Sequence, residues 1–583
     1  MDSPSSFRTA ESRLSSSPRS SSMEGQSSEG LDELQYRGAR VLPYELRHHC
    51  LVYLEEQLYA SALNLLNNLL VSGTSYPTPS TPTFAPPPAH IALANTLLVH
   101  PIHTTRARSS DLAEVSSRAL RLLRNILTIL GPLNANLQEA YTFRSSSSRG
   151  FRLRRSQFER ESSDDNGSDE GAITSALANE NSLWTRGLDF WHVVGWALNC
   201  SVEHPKRWQF WRLWLEHMLD VLDADWKERL RLDNLDKDET QTDPEAEHRM
   251  LKECMLLRYM SANGSRSHAV KRVVKAIFAD GSSDAMRAYP EVFLNEAKNV
   301  QDQSGRKRKR EAEMDLDKEQ YGDYIEDEEL DLGGEAPPDS SQLSQPTPPL
   351  SDDEDKERRQ MASRLSNPSA SLGGPEAMVL RLRLLSLLSR ASAFFPDSFT
   401  AVQELYTLYY DSIRPLPLPT FALFFAHSAP LHLPPAVLSS LAQVHLHRLT
   451  AAARRPNDDL DQDVLARHIL PLAAISAAVD DNAKVALLAE SLLRLFARSC
   501  DLDPDDAALV RGLDAGIAAR DARVAQVDGG RRPRRHHHKG PAAPVAAKRS
   551  LADDRDRASL SASGRRMRAL LHLLQTKRSI PAS

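Results

Sequence analysis

The chain has 583 residues, and 72 Lys and Arg set against 78 Asp and Glu leave a formal net charge of −6. Its hydrophobic share of 41 % lies below the roughly 45–50 % of an average globular domain, and stretches rich in Ser and Pro cannot offset their ordering entropy by burying apolar surface. Four cysteines (Cys50, Cys200, Cys254 and Cys500) lie far apart with no CxxC pair, which excludes a zinc ribbon and a disulfide-dense secreted scaffold. No apolar run approaches the roughly 18 residues of a membrane span, and a Ser-rich start is no signal core, so a soluble intracellular protein is expected.

Residues 1–35 read as a disordered tail, with 12 Ser among the first 30. Helical periodicity begins near Val41. Leu51, Leu54, Leu58, Ala62, Leu65 and Leu69 recur at steps of three and four and predict one amphipathic helix that ends at Gly73. The Thr/Pro-rich stretch 73–90 predicts a loop with neither helix nor central strand. Ser110 is the expected N-cap of a second helix striped by Leu112, Val115, Ala119, Leu122, Ile126 and Leu130, which Gly131-Pro132 stops. Residues 144–175 form a Ser/Arg/Asp/Gly segment, expected to be a disordered insertion.

The block 183–230 holds all seven tryptophans. One helix carries Trp184, Leu188, Trp191 and Leu198. The chain turns near Cys200–His204, and Pro205 suits the first turn of the next helix. There Trp208, Trp211, Leu215, Leu219 and Leu222 form a stripe flanked by Trp214. The spacing favours a packed hairpin core over a base-stacking or partner surface, because exposed stacking aromatics need interleaved cations. Asp220, Asp223 and Asp225 read as caps at or beyond the end of this helix. Further helices are expected at about 245–261 and 268–280.

Residues 301–375 predict a disordered charged linker. Within it Arg306, Lys307, Arg308, Lys309 and Arg310 form the compact cationic array of a nuclear localisation signal, which implies an importin as partner. From Glu311 to Glu335 follow 12 carboxylates and a single cation, Lys318, a run that repels itself and offers a surface to basic partners. Thr347, before Pro348, and Ser351, before four acids, are candidate phosphorylation sites. A second helical region is expected over 376–527, divided by prolines into pieces of single-helix size. The tail 528–583 is basic: 14 Lys and Arg less three Asp leave +11 over 531–578. Most of it is expected to be disordered, with a short amphipathic helix around Met567, Leu570, Leu571 and Leu574. Arg531, Arg532, Arg534, Arg535, Arg565, Arg566 and Arg568 are its candidate nucleic-acid contacts.

No phosphate-cradling loop, nucleophile elbow, HExxH or strand-borne GxGxxG occurs, so no catalytic, cofactor or metal site is expected. His445 and His447, two positions apart, would point in different directions on a helix. The expected fold is all-α: irregular stacked helical hairpins, like a helical-repeat array, in two regions (36–300 and 376–527). The expected function is a non-enzymatic nuclear scaffold that holds protein partners in a chromatin- or genome-maintenance-associated complex, with nucleic acid on the tail and neither membrane nor small-molecule substrate. An RNA-processing or ribosome-assembly factor and an unrecognised all-α enzyme are the alternatives.

Overall fold

In the computed structural model the described residues are 36–75, 81–144, 173–239, 248–260, 266–298, 371–427, 433–451, 460–499, 502–530 and 543–579. They form an all-α protein. The helices of the first half are α1 (Tyr44–Glu55), α2 (Tyr59–Ser72), α3 (Pro88–Val99), α4 (Ser110–Ile129), α5 (Phe190–Glu203), α6 (Pro205–Glu239), α7 (Met255–Met260), α8 (Arg266–Ile277) and α9 (Ser283–Ala288), with single turns between some of them. The second half contributes α10 (Gly374–Phe394), α11 (Val402–Ile413), α12 (Leu418–Phe424), α13 (Pro435–Leu449), α14 (Val479–Ser499), α15 (Ala507–Gly530) and α16 (Ala543–Ser579).

Several helices begin on the prolines that divide the sequence. Proline stands in the first turn of α3, α10, α12 and α13, and α6 starts on Pro205. The ring presets the helical φ, and the missing N–H is one that the first turn leaves unpaired anyway.

Four local expectations are corrected. The first predicted helix is two, because Gln57 turns left-handed at φ 59°; the buried stripe of α2 is Tyr59, Ala62, Leu63, Leu66 and Leu70, and Leu58 is exposed. Ser109, one residue before the expected cap, accepts from the Leu112 amide and starts α4. The Thr/Pro-rich loop contributes a strand, β2 (Thr83–Ala85), which pairs in parallel with β1 (Ala39–Val41) in the register Ala39 to Thr83. The Thr83 hydroxyl donates to the Leu70 carbonyl at 2.7 Å, so β2 is fixed from α2 as well as from β1. The segment around 245–261 breaks at Cys254 into the turn Arg249–Lys252 and α7.

The two halves share one apolar core that runs from Leu42 to Leu571. At its centre α10 packs on α5, α6 and α8. Its buried residues, among them Met378, Leu380, Leu382, Leu384, Leu385 and Leu388, occur on all sides of the helix, as expected of a helix enclosed by others. The tail also differs from its expectation. Residues 543–579 form the single helix α16, laid along α14, with Leu560, Met567 and Leu571 buried.

Candidate functional site

All seven tryptophans are buried, so Trp191, Trp208, Trp211 and Trp214 lie within the core. Several of their polar edges find partners inside it: the Trp184 Nε1–H donates to the Ala92 carbonyl, Trp191 to the Tyr259 carbonyl and Trp214 to the Asn95 side chain, whereas Nε1 of Trp196 and of Trp226 is buried without a partner among the described residues. Gly195 on α5 makes this packing possible, since a Cβ there would overlap the Tyr289 ring. Leu188, expected in the stripe, is 69 % exposed.

Around this core lie buried charges that pin distant segments. Arg207, at the start of α6, pairs with Glu296 and donates to the Thr104 hydroxyl and the Val99 carbonyl, each at 2.7 Å. Glu296 also accepts from Trp211 Nε1 and from the amides of Val292 and Phe293. Burial raises its carboxyl above the usual range, and Arg207 opposes that rise. Farther along α6, Asp225 accepts from Arg229 and from the Met255 amide, both at 2.8 Å, and Asp233 takes the amides of Met250 and Leu251. These two aspartates therefore tie down the turn Arg249–Lys252 and the start of α7. Asp220, Asp223 and Asp225 lie inside α6 and do not cap it, because the helix continues to Glu239.

A second set of charges joins the two halves of the chain. Arg383 reaches Asp220 at 2.8 Å and Asp223 at 3.1 Å, Arg390 reaches Asp223 at 2.6 Å, and Arg212 meets Glu376 at 2.6 Å. Arg381 is fully buried; it donates to the carbonyl of Ile277 at the end of α8 and to that of Ala279 at 2.8 Å. Desolvation pushes its guanidinium down to about 9, still above neutrality. An Arg set within the apolar run Met378–Leu388 was the visible sign that a buried acceptor awaited it.

The third set holds the tail helix. Glu490 on α14, 3 % exposed in its side chain, accepts from Arg566 Nε and Nη2 at 2.7 Å each, from Arg494 at 2.7 Å and from the buried Ser563 hydroxyl at 2.7 Å. Arg568 pairs with Asp514 on α15 at 2.8 Å, and Arg578 pairs with Asp503. Arg565 remains exposed and donates to the Ser561 hydroxyl at 3.4 Å. Of the expected nucleic-acid contacts, then, Arg566 and Arg568 engage carboxylates of the same chain. Arg531, Arg532, Arg534 and Arg535 lie outside the described residues, as do Arg306, Lys307, Arg308, Lys309, Arg310, Thr347 and Ser351.

The thiols of Cys50 and Cys254 are pushed up to about 11 and about 12 by burial, and burial also raises that of Cys200 well above its ordinary value, which keeps all three protonated and poor nucleophiles at neutral pH. His192 is buried, with its Nε2 3.0 Å from the Pro290 carbonyl. His445 is buried and His447 exposed on α13. Among the described residues no group of three or more His, Cys, Asp or Glu converges as a metal site, and no helix is long and apolar enough to cross a membrane. No family model, curated protein or solved structure matches the chain.

Proposed function

We propose that the chain is a non-enzymatic, α-helical scaffold subunit of the nucleus, which holds protein partners in a chromatin- or genome-maintenance-associated complex. The observation that carries this reading is the placement of its charge. Residues 299–370 connect two halves of one core, and they hold Arg306–Arg310 followed directly by the acidic run 311–335. Five successive cations suit an importin groove, and the acids beside them suit a basic partner such as a histone. Thr347 and Ser351 belong to the same stretch, where phosphorylation adds negative charge and creates a docking motif. The buried charges of the body support a rigid platform, since they fix one segment to another. In this reading the chain has no cofactor and no small-molecule substrate, and the cations of 531–535 act as a second localisation signal or a nucleic-acid contact.

Two measurements test the proposal. Fluorescently tagged chain is expected in the nucleus, and deletion of 306–310 together with 531–535 is expected to move it to the cytoplasm. Retention of the double deletion in the nucleus would overturn the assignment of these cations as the localisation signals, and an intact chain found in the cytoplasm would overturn the localisation itself. Affinity purification with mass spectrometry should recover chromatin or repair subunits. Recovery of pre-ribosomal proteins in their place would overturn the setting, and turnover of a substrate by the purified chain would overturn the scaffold.

A further inference from the structure

Where α16 crosses α15, a cleft of about 110 Å³ opens between the two helices. Ser561, Gly564, Arg565 and Arg568 line it from α16, and their spacing of three, one and three places them on one helical face. Ile517, Arg520 and Asp521 line it from α15, with Ala486 of α14 and Leu560 at the base. Gly564 keeps the cleft open: a Cβ at that position would stand 3.3 Å from the Ile517 side chain.

Arg520 is the unusual member. It is 1 % exposed, and its Nη1 donates to the Leu472 carbonyl at 2.8 Å and the Leu470 carbonyl at 3.2 Å. Its Nη2 is buried without a hydrogen-bond partner. A buried guanidinium with an unused donor forfeits interaction energy that an oxyanion would restore, and such charge-assisted bonds are the strong ones. Three arginines line the cleft beside one aspartate, Asp521; Asp514 holds Arg568 from the side. A small multidentate anion matches this set better than a carboxylate, because its oxygens can meet Arg520, Arg565 and the Ser561 hydroxyl together.

We propose that Arg520, Arg565, Arg568 and Ser561 form a phosphate-binding site that fastens α16 to α15. The phosphate is either free inorganic phosphate or a phosphoryl group carried on Ser561, an exposed hydroxyl already 3.4 Å from Arg565. In the second case the Ser561 oxygen forms a bond to the terminal phosphorus of a nucleoside triphosphate as the bond to the bridging oxygen breaks. The nucleoside diphosphate leaves with that electron pair, and the serine proton passes to solvent. The product would place its charge beside Arg565, four residues on in the same helix, and over Arg520.

The test is thermal unfolding of the full chain at fixed pH and ionic strength, with inorganic phosphate replacing chloride. At about ten times its dissociation constant phosphate is expected to raise the midpoint by roughly 2 °C. Arg565→Gln should abolish that rise without lowering the phosphate-free midpoint, since Arg565 lies on the solvent side. Arg520→Gln is the second variant, although it also removes two carbonyl partners. Chain carrying phosphoserine at 561 should show the raised midpoint in phosphate-free buffer and gain nothing from added phosphate. A rise with free phosphate alone assigns the site to the free anion, and a rise with phosphoserine alone assigns it to the chain's own residue. No rise in either arm, or an equal rise in Arg565→Gln, overturns the proposal.

Discussion

Four buried imidazoles set how this protein responds to acid. Burial pushes His90 and His445 down to about 4 and His100 and His217 down to about 3, so all four are neutral when folded. In the unfolded chain they protonate near pH 6.5. Between pH 6.5 and about 4 the unfolded state thus binds more protons, and stability falls as pH falls, by about 1.4 kcal/mol per pH unit for each histidine. Asp556, pushed up to about 6 by burial and by Asp480, acts in the opposite sense between its folded value and the ordinary carboxylate range, as do Asp225 and Glu296, whose carboxyls burial also raises. Burial lowers His103, His192, His204 and His427 as well, which adds to the effect of the four. Urea unfolding at pH 7.5 and 5.5 should show a clear loss at the lower value. His217→Gln should reduce the slope by about one histidine's share, because it retains a partner for the Tyr141 hydroxyl, now 2.9 Å from Nε2. At the same scale, Glu296→Ala leaves Arg207 buried without its carboxylate and is expected to cost about 3–5 kcal/mol, read from the denaturant midpoint at constant m-value. None of this was legible in the chain order of residues. Asp225 sits in DVLDADW, which reads as a helix end; its partner, the Met255 amide, lies 30 residues on. Local pattern holds no trace of a bond made across that distance.

At the level of helices the periodicity carried most of the information. The face of α4, the turn before Pro205 and the burial of the tryptophan hairpin all follow from spacing and from proline and glycine chemistry. What escaped depends on neighbours. Nothing in the residues near Gln57 announces a left-handed break, and the stripe of α16 looked short because its contacts run through Ser563, against α14, and Gly564, against Ile517 of α15, as well as through leucines. That helix is held by ion pairs as well as by its buried Leu560, Met567 and Leu571. Glu490→Ala removes the acceptor shared by Ser563, Arg494 and Arg566, and is expected to release α16 from α14. Hydrogen exchange should then show lost protection across 552–579 with α6 unchanged; equal protection in the variant would mean that the apolar contacts suffice. Gly516 on α15 tests close packing. A Cβ there would overlap the Leu470 carbonyl oxygen, so Gly516→Ala should destabilise by about 1–3 kcal/mol, although Ala favours helices intrinsically.

At the scale of the whole molecule, the two helical regions expected on either side of the linker pack on each other in one core. Composition sets the charged stretch 301–375 between two apolar flanks, although α10 already begins at Gly374. It cannot say whether the flanks pack on each other, because that depends on which faces are complementary. Here α10 enters the first half, and Arg383 and Arg390 reach the carboxylates of α6. A specific protease site inserted between 311 and 335 should accordingly yield two fragments that co-elute as one species at native conditions and separate only in denaturant. Separation of the fragments in buffer alone would show that the seam is too weak to hold without the covalent connection.

The buried seat of Arg381 bears on how the chain is made. The Ile277 carbonyl waits for a donor 104 residues downstream, and at about 5–20 residues per second a ribosome needs on the order of 5–20 s to supply it. Throughout that interval the end of α8 and the parts of α5 and α6 that α10 covers are left without it. The first half therefore cannot mature as it emerges, and newly made protein should depend on holding chaperones until its second half leaves the exit tunnel.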